Sequence, residues 1–302
     1  MPISPRARAL APIGFAPLVA LALAAAPLLA CREAREPAPE SGELRVISLS
    51  PSATDIAVAL GRADALVGVD QFSRELAGVP DSLPSLGGLF APDLERAVEL
   101  APTLVLGVRS ENQAAFFALL RARGVRVLEI DSSGSLEQVL ATYTEIGRAL
   151  GREAEAVALV ARVRAELDAV AQSVAGLERP SVALVVEREP LYVAAGGSFA
   201  SALIEAAGGR NVFGDLQNAY PQVSLELLAE RAPEVLIDST ETQEQSPDAA
   251  RQARAYWSRH DFVRRVELIP PGVATLPGAQ LGDAARLLRA RLHPGFAASV
   301  SP

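Results

Sequence analysis

The chain has 302 residues, enough for one large domain or two ordinary ones, and half of them are hydrophobic, so it can bury a core rather than stay disordered. Its net charge is −8 and no basic run occurs, which argues against a nucleic-acid surface. All 28 basic residues are Arg, which excludes a P-loop lysine and Schiff-base chemistry, and two His with one Cys exclude a His- or Cys-rich metal cage and an intramolecular disulfide.

The N-terminus reads as an export signal. Arg6 and Arg8 precede a mostly apolar stretch ending Leu28-Leu29-Ala30-Cys31, the parts of a secretory leader. Pro17 and Pro27 make it a poor membrane span. The lone Cys31 sits where the leader should end and looks like a lipobox cysteine, the lipidated first residue of a lipoprotein. Residues 1–30 are expected to be the signal peptide, and 31–43, with Pro37 and Pro39, a short tether.

From Leu44 the pattern alternates between short apolar runs and helical stretches. Strands are expected at 45–49, 65–69, 104–108 and 125–130, and helices at 54–60, 94–100, 114–123 and 136–150. This β-α alternation predicts a mostly parallel, covered sheet. Ser52-Ala-Thr-Asp55 resembles a capping box, Pro92-Asp93 opens the second helix, and Gly61, Gly124 and Gly151 punctuate helix ends. A long helix is expected over 153–177, with a stripe of Val157, Val160, Val163, Leu167, Val170, Val174 and Leu177; such a helix spans about 37 Å. After Pro180 the alternation resumes, with strands at 181–186, 191–194, 235–239 and 266–269 and helices at 198–207, 225–231, 249–259 and 281–292. The organisation is therefore lobe (44–150), bridging helix (151–179), lobe (180–295).

The lobes echo each other. Leu94-Glu95-Arg-Ala-Val-Glu99-Leu-Ala101-Pro102-Thr-Leu-Val-Leu106 aligns with Leu225-Glu226-Leu-Leu-Ala-Glu230-Arg-Ala232-Pro233-Glu-Val-Leu-Ile237, sharing Leu, both Glu, Ala and Pro. A helix-Ala-Pro-strand grammar is common enough to produce this by chance; the alternative is two similar lobes with a ligand cleft between them.

Arg45-Val-Ile-Ser-Leu-Ser50-Pro51-Ser52-Ala-Thr-Asp55, Leu66-Val-Gly-Val69, Leu86-Gly87-Gly88, Ala101-Pro102 and Tyr220-Pro221-Gln222-Val223-Ser224-Leu-Glu226 together resemble the substrate-binding proteins of vitamin B12 and iron-siderophore ABC importers, and the B12-binding member most. The resemblance covers nearly all of 44–293. It implies an α/β fold of two Rossmann-like lobes bridged by one long helix. It implies capture of a cobalamin-like corrinoid between the lobes, delivery to a membrane permease whose separate ATPase subunit hydrolyses ATP, and a monomer that performs no chemistry and holds no cofactor. It places Glu95 and Glu226 at the permease-docking positions, and Phe72, Leu89, Phe90, Arg109, Tyr192 and Tyr220 around the ligand. Val108 stands where the family has a Trp, so the aromatic lining is thin. Arg188 is a further loop-adjacent cation. An iron-siderophore or haem is the alternative ligand, haem being weakened by scarce His and Tyr.

Other readings compete. Ser198 after Gly196-Gly197 could mark a lipid-anchored α/β hydrolase, although the Gly-x-Ser-x-Gly elbow is absent. A membrane-tethered sensor domain is a third reading. The segment Gly208–Gly214 reads as a turn after a helix, Trp257 as packing, and 270–280 as a loop bordering the cleft.

Overall fold

The computed structural model describes residues 43–89, 91–240 and 247–295; the expected leader, Cys31, most of the tether and Phe90 lie outside them. Two sheets carry the fold. The first has the order β2-β1-β3-β4, all parallel, from β1 (Val46–Leu49), β2 (Leu66–Val69), β3 (Leu104–Val108) and β4 (Arg126–Ile130). The helices between them are α1 (Pro51–Ala59), α2 (Leu94–Glu99) and α3 (Glu111–Arg121), and α4 (Leu136–Ala149) follows β4. β1 is buried along its whole length, as a central strand covered by helices on both faces should be.

The second sheet centres on β5 (Ser181–Arg188). One side of β5 pairs in parallel with β8 (Val235–Asp238), which pairs with β9 (Val266–Leu268). The other side is shared by β6 (Leu191–Val193), antiparallel, and β7 (Arg210–Asn211), parallel. The antiparallel β6 follows β5 through a tight turn containing a cis Glu189–Pro190 peptide. β7 falls inside the expected turn at 208–214; a two-residue strand is too short to leave a periodic signature. The remaining helices are α6 (Phe199–Ala206), α7 (Leu225–Arg231), α8 (Pro247–Trp257), α9 (Pro271–Thr275) and α10 (Leu281–Leu292). Thus 270–280 is not all loop, because Pro271 at a first-turn position starts α9.

The bridging helix α5 runs Glu153–Ser173, 21 residues, or about 31 Å. It ends four residues before the expectation, where the Gln172 carbonyl accepts from Ala175 N–H and Gly176 turns left-handed. Its buried stripe is Ala156, Leu159, Val163, Leu167 and Val170, while Val157 is 58% exposed. The small Ala156 takes the inward place because it packs against Gly147 of α4, where a Cβ would stand 2.3 Å from it. One continuous core joins Tyr143 and Ile146 of α4, this stripe, Leu203 of α6, Leu184 of β5 and Leu288 of α10. The two sheets therefore share a packed seam.

The internal repeat is structural. α2 and α7 are short helices capped by Asp93 and Ser224, each ending in a left-handed alanine, Ala101 and Ala232, both with φ of 44°. Each alanine precedes the proline that leads into a central strand, β3 or β8. Pro102 and Pro233 disfavour the right-handed helical conformation in the residue before them, so both helices stop the same way. α1 departs from expectation: its cap is Ser50, whose side chain accepts from Ala53 N–H, with Pro51 as first helical residue. Ser52 and Asp55 are not a capping box.

Candidate functional site

In open α/β sheets, ligands meet the carboxyl ends of the strands; of the expected site residues, Phe72 and Arg109 follow β2 and β3 there, while Tyr192 lies within the antiparallel β6. Phe72 follows β2 and is 60% exposed. Its N–H and that of Ser73 donate to Asp70 Oδ1 at 2.9 and 3.0 Å. Asp70 is buried and also takes the Ser73 hydroxyl. That hydroxyl lies 2.9 Å from Thr54 Oγ1, which donates to Ser48 Oγ at 2.7 Å. This buried, satisfied chain of Ser48, Thr54, Ser73 and Asp70 holds an apolar ring in water on a rigid base. Burial pushes the Asp70 carboxyl above its ordinary value, against the pull of its hydrogen bonds.

Leu89 is half-buried after an extended segment whose Ser85 bridges to Val69. Gln113 of α3, fully buried, donates from Nε2 to the Leu89 carbonyl at 3.0 Å. Gly87 has φ of 87° and accepts from Gln71 N–H, so this turn needs glycine's left-handed freedom. Arg109 follows β3; its N–H donates to Ile130 O, its side chain is exposed, and its guanidinium has no hydrogen-bond partner among the described residues.

In the second lobe, Tyr192 on β6 is half-buried and bridges to Gln222 on the neighbouring segment. Tyr220, on that segment, packs on the core and donates its hydroxyl to Ala274 O at 2.8 Å. Burial raises its phenol well above the ordinary range. Arg188 is committed elsewhere. Its Nε donates to buried Asp238 Oδ2 at 2.8 Å, and Nη2 reaches Thr240 Oγ1 at 2.6 Å. The fully buried Trp257 donates to the same Asp238 oxygen at 2.6 Å. Trp257 is packing, as expected, with a polar tie at its indole.

A feature that sequence reasoning missed links the lobes. The segment from Pro270 to Gln280 is strapped down from both sides. Ser239 Oγ donates to Pro270 O and Tyr220 to Ala274 O, both from the second lobe. From the first lobe Tyr143 of α4 donates its hydroxyl to Gly278 O, and Asp55 Oδ2 of α1 accepts from Ala279 N–H at 2.7 Å. A Cβ on Gly278 would stand 2.2 Å from that Asp55 oxygen. Burial raises Asp55, partly offset by the Ala279 N–H and by Arg162. The signal in the sequence was Asp55 itself, an acid whose helix start was already capped by Ser50.

Beside the strap lies a cavity of about 580 Å³, walled by residues of both lobes including Ser52 and Asp55 of α1, Ala77, Leu276, and Ala284 and Leu287 of α10. Ser198 is the N-cap of α6: its hydroxyl donates to Ala195 O and accepts from Ser201 N–H. Gly196 and Gly197 before it are tight because a Cβ would lie 2.2 and 2.0 Å from the Gly214 and Gln217 carbonyls. The Gly-Gly-Ser motif thus serves close backbone packing. Glu95 and Glu226 are both exposed at the second residue of their helices. Its own N–H and Ser224 lower the Glu226 carboxyl below its ordinary value. Among the described residues no group of three metal-ligating side chains occurs, and no helix is long and apolar enough to cross a membrane.

A cobalamin-binding protein of Halobacterium salinarum is 32% identical over 196 residues, 64% of this chain and 53% of the relative; the match spans about half that relative's length. A vitamin B12-binding protein of Vibrio parahaemolyticus is 30% identical over 197 residues, 65% of this chain and 70% of the relative. Among solved structures, a periplasmic heme binding protein from Pseudomonas aeruginosa shares the fold with a TM-score of 0.68 at 26% identity, over 85% of this chain and 94% of that one. The sequence profile of the periplasmic binding proteins matches residues 46–265, which include every strand of the first sheet and most of the second, and the chain belongs to that family.

Proposed function

We propose that the protein is the substrate-binding component of an ABC importer and captures a cobalamin-like corrinoid between its lobes. The observation that carries this reading is the 30–32% identity to proteins named for cobalamin and vitamin B12. The geometry supports it. Phe72 and Leu89 offer an apolar rim on fixed backbone, Arg109 offers a cation for a phosphate or carbonyl, and Tyr192 adds a half-buried aromatic ring from the second lobe's sheet. The shared core of the seam resists large bending, so capture proceeds with limited closure. Family membership goes with an exported, periplasmic location; a lipid anchor at Cys31 and a monomeric state are part of the proposal. Glu95 and Glu226, at equivalent places on the two lobes, dock to basic pockets of the permease.

Haem is the second reading, favoured by the solved heme-binding relative. Haem iron needs an axial ligand. His260 is packed among Tyr256, Trp257 and Phe262 in the second lobe, His293 caps α10, and the Tyr143 and Tyr220 hydroxyls are spent on the strap. The Tyr256 ring packs against Trp257 with the Arg188 and Arg259 guanidiniums over it, so axial ligation at the strand ends falls to Tyr192. Equilibrium dialysis against cyanocobalamin tests the site: Phe72→Ala and Arg109→Ala each weaken binding by about tenfold, or ~1.4 kcal/mol. Unchanged affinity in both would remove these residues from the site, and a haem spectrum abolished by Tyr192→Phe would replace the ligand.

A further inference from the structure

We propose that Gln113 is a positioning residue: it fixes the Leu89 turn against the start of α3, and so sets the spacing of Leu89 and Arg109 before a ligand arrives. The inference rests on the reading of Leu89 and Arg109 as rim residues. Ser110-Glu-Asn-Gln113 opens α3 with the same Ser-x-x-Gln signature that Ser135-Leu-Glu-Gln138 gives α4. At α4 the signature makes a full capping box, and Gln138 Oε1 accepts from Ser135 N–H at 2.8 Å. At α3 the box is not completed. Ser110 Oγ accepts from Asn112 N–H at 3.3 Å, while Gln113 Nε2 donates to the Leu89 carbonyl at 3.0 Å, 24 residues away in the chain.

This diversion is unfavourable for Gln113 itself. Its side chain is fully buried, and its Oε1 has no hydrogen-bond partner among the described residues. A buried acceptor left without a donor destabilises the fold, so stability alone does not account for the residue. Space for the amide comes from Gly107, the fourth residue of β3. A Cβ there would stand 3.3 Å from Gln113 Oε1 and would collide with Phe117 Cζ. Glycine inside a strand weakens it unless another group must approach closely, and here the amide is such a group. The far side of the turn is tied by backbone. Gln71, the residue before Phe72, donates its N–H to Gly87 O at 2.9 Å, and Asp93 N–H closes the turn on Leu86 O at 2.9 Å. The Leu89 turn is thus clamped from the Phe72 side by main chain and from the Arg109 side by Gln113. A rim fixed in advance spares binding the entropy of ordering it.

Gln113→Met tests this, because it keeps the length of the side chain and removes the donor. In the ligand-free protein, amide exchange followed by NMR should quicken at least tenfold at Gln71, Gly87 and Asp93 and stay within twofold in β1 and β5. Stopped-flow mixing with cyanocobalamin should show association slowed at least fivefold with dissociation within twofold, since only a fraction of molecules then holds the rim ready. Unchanged exchange at those three amides, or wild-type association, would overturn the proposal. If Gln113→Met fails to fold, the wild type decides. Gln113 Nε2 hydrogens that exchange at least tenfold more slowly than those of the exposed Gln172 support the tie, and equal exchange overturns it. A wild type that ignores cyanocobalamin loses the corrinoid reading, while the exchange comparison still decides the role of Gln113; if haem binds instead, it replaces cyanocobalamin in the kinetics.

Discussion

Asp55 shows how a single side chain can be assigned the wrong task by local pattern. Ser-x-x-Asp ahead of an apolar helix is the signature of a capping box, but Pro51 is pre-organised for the first helical position. Ser50 becomes the cap, and Asp55 is free to hold Ala279 N–H in the other lobe. That bond spans 224 residues of sequence, which no local pattern encodes. Asp55→Ala leaves a part-buried N–H without its acceptor and should cost about 1–3 kcal/mol in chemical denaturation. The pH dependence carries a second sign. Asp55 and Asp70 have raised folded pKa values, so the folded state binds their protons more readily. Their contribution to stability grows as pH falls from neutral through the folded pKa toward the unfolded value of about 3.9. Glu234, lowered by Ser181, contributes the opposite way and loses stability on acidification. Acidification from pH 7 to about 4 should therefore cost wild type less stability than Asp55→Asn. A denaturation series across that range measures it, and equal pH slopes would contradict the assignment.

Elements were more legible than individual contacts. The parallel strands β1 to β4 and helices α4, α7 and α10 lie within a residue or two of where apolar patterning puts them, because the strands are short apolar runs covered by helices and the helices bury one apolar face. The losses have physical causes. β7 is two residues long, α9 follows Pro270 and begins Pro-Gly, and the α5 stripe shifts by one residue where Ala156 packs on Gly147. On α5, Leu167→Ala removes a side chain buried in the core that α5 shares with α4 and α10 and should cost about 2–4 kcal/mol. Val157→Ala, at an exposed position that the hydrophobic pattern alone would rank equal, should stay within about 0.5 kcal/mol. Urea melts of the pair decide between the two stripes. The repeat makes another prediction. Ala101 and Ala232 sit at φ of 44°, which costs an L-residue about 1–2 kcal/mol, while glycine's entropy in the unfolded chain takes back about 0.4–1. Ala101→Gly and Ala232→Gly should each be neutral or stabilising by up to about 1 kcal/mol, unlike glycine placed elsewhere in a helix.

At the scale of the whole molecule, the two-lobe plan was readable because it is periodic twice over, and the family resemblance followed the same residues. The proposed rim was readable only as positions. That Phe72 rests on a buried Asp70 network, that Arg188 is spent on Asp238, and that Tyr220 holds the strap depend on partners distant in sequence. The strap and the continuous core tie the two lobes together, so the proposed capture asks for little rearrangement. With the cognate permease in proteoliposomes, Glu95→Arg with Glu226→Arg should abolish uptake while leaving ligand affinity within about twofold. Retained uptake would move the docking surface elsewhere.

The most direct measurement is isothermal titration of the purified protein with cyanocobalamin, with haem and a ferric siderophore as parallel titrants. The account predicts saturable one-to-one heat with cyanocobalamin. Silence with cyanocobalamin alongside saturable binding of haem or the siderophore would contradict the corrinoid assignment, and silence with all three would contradict the proposed capture itself.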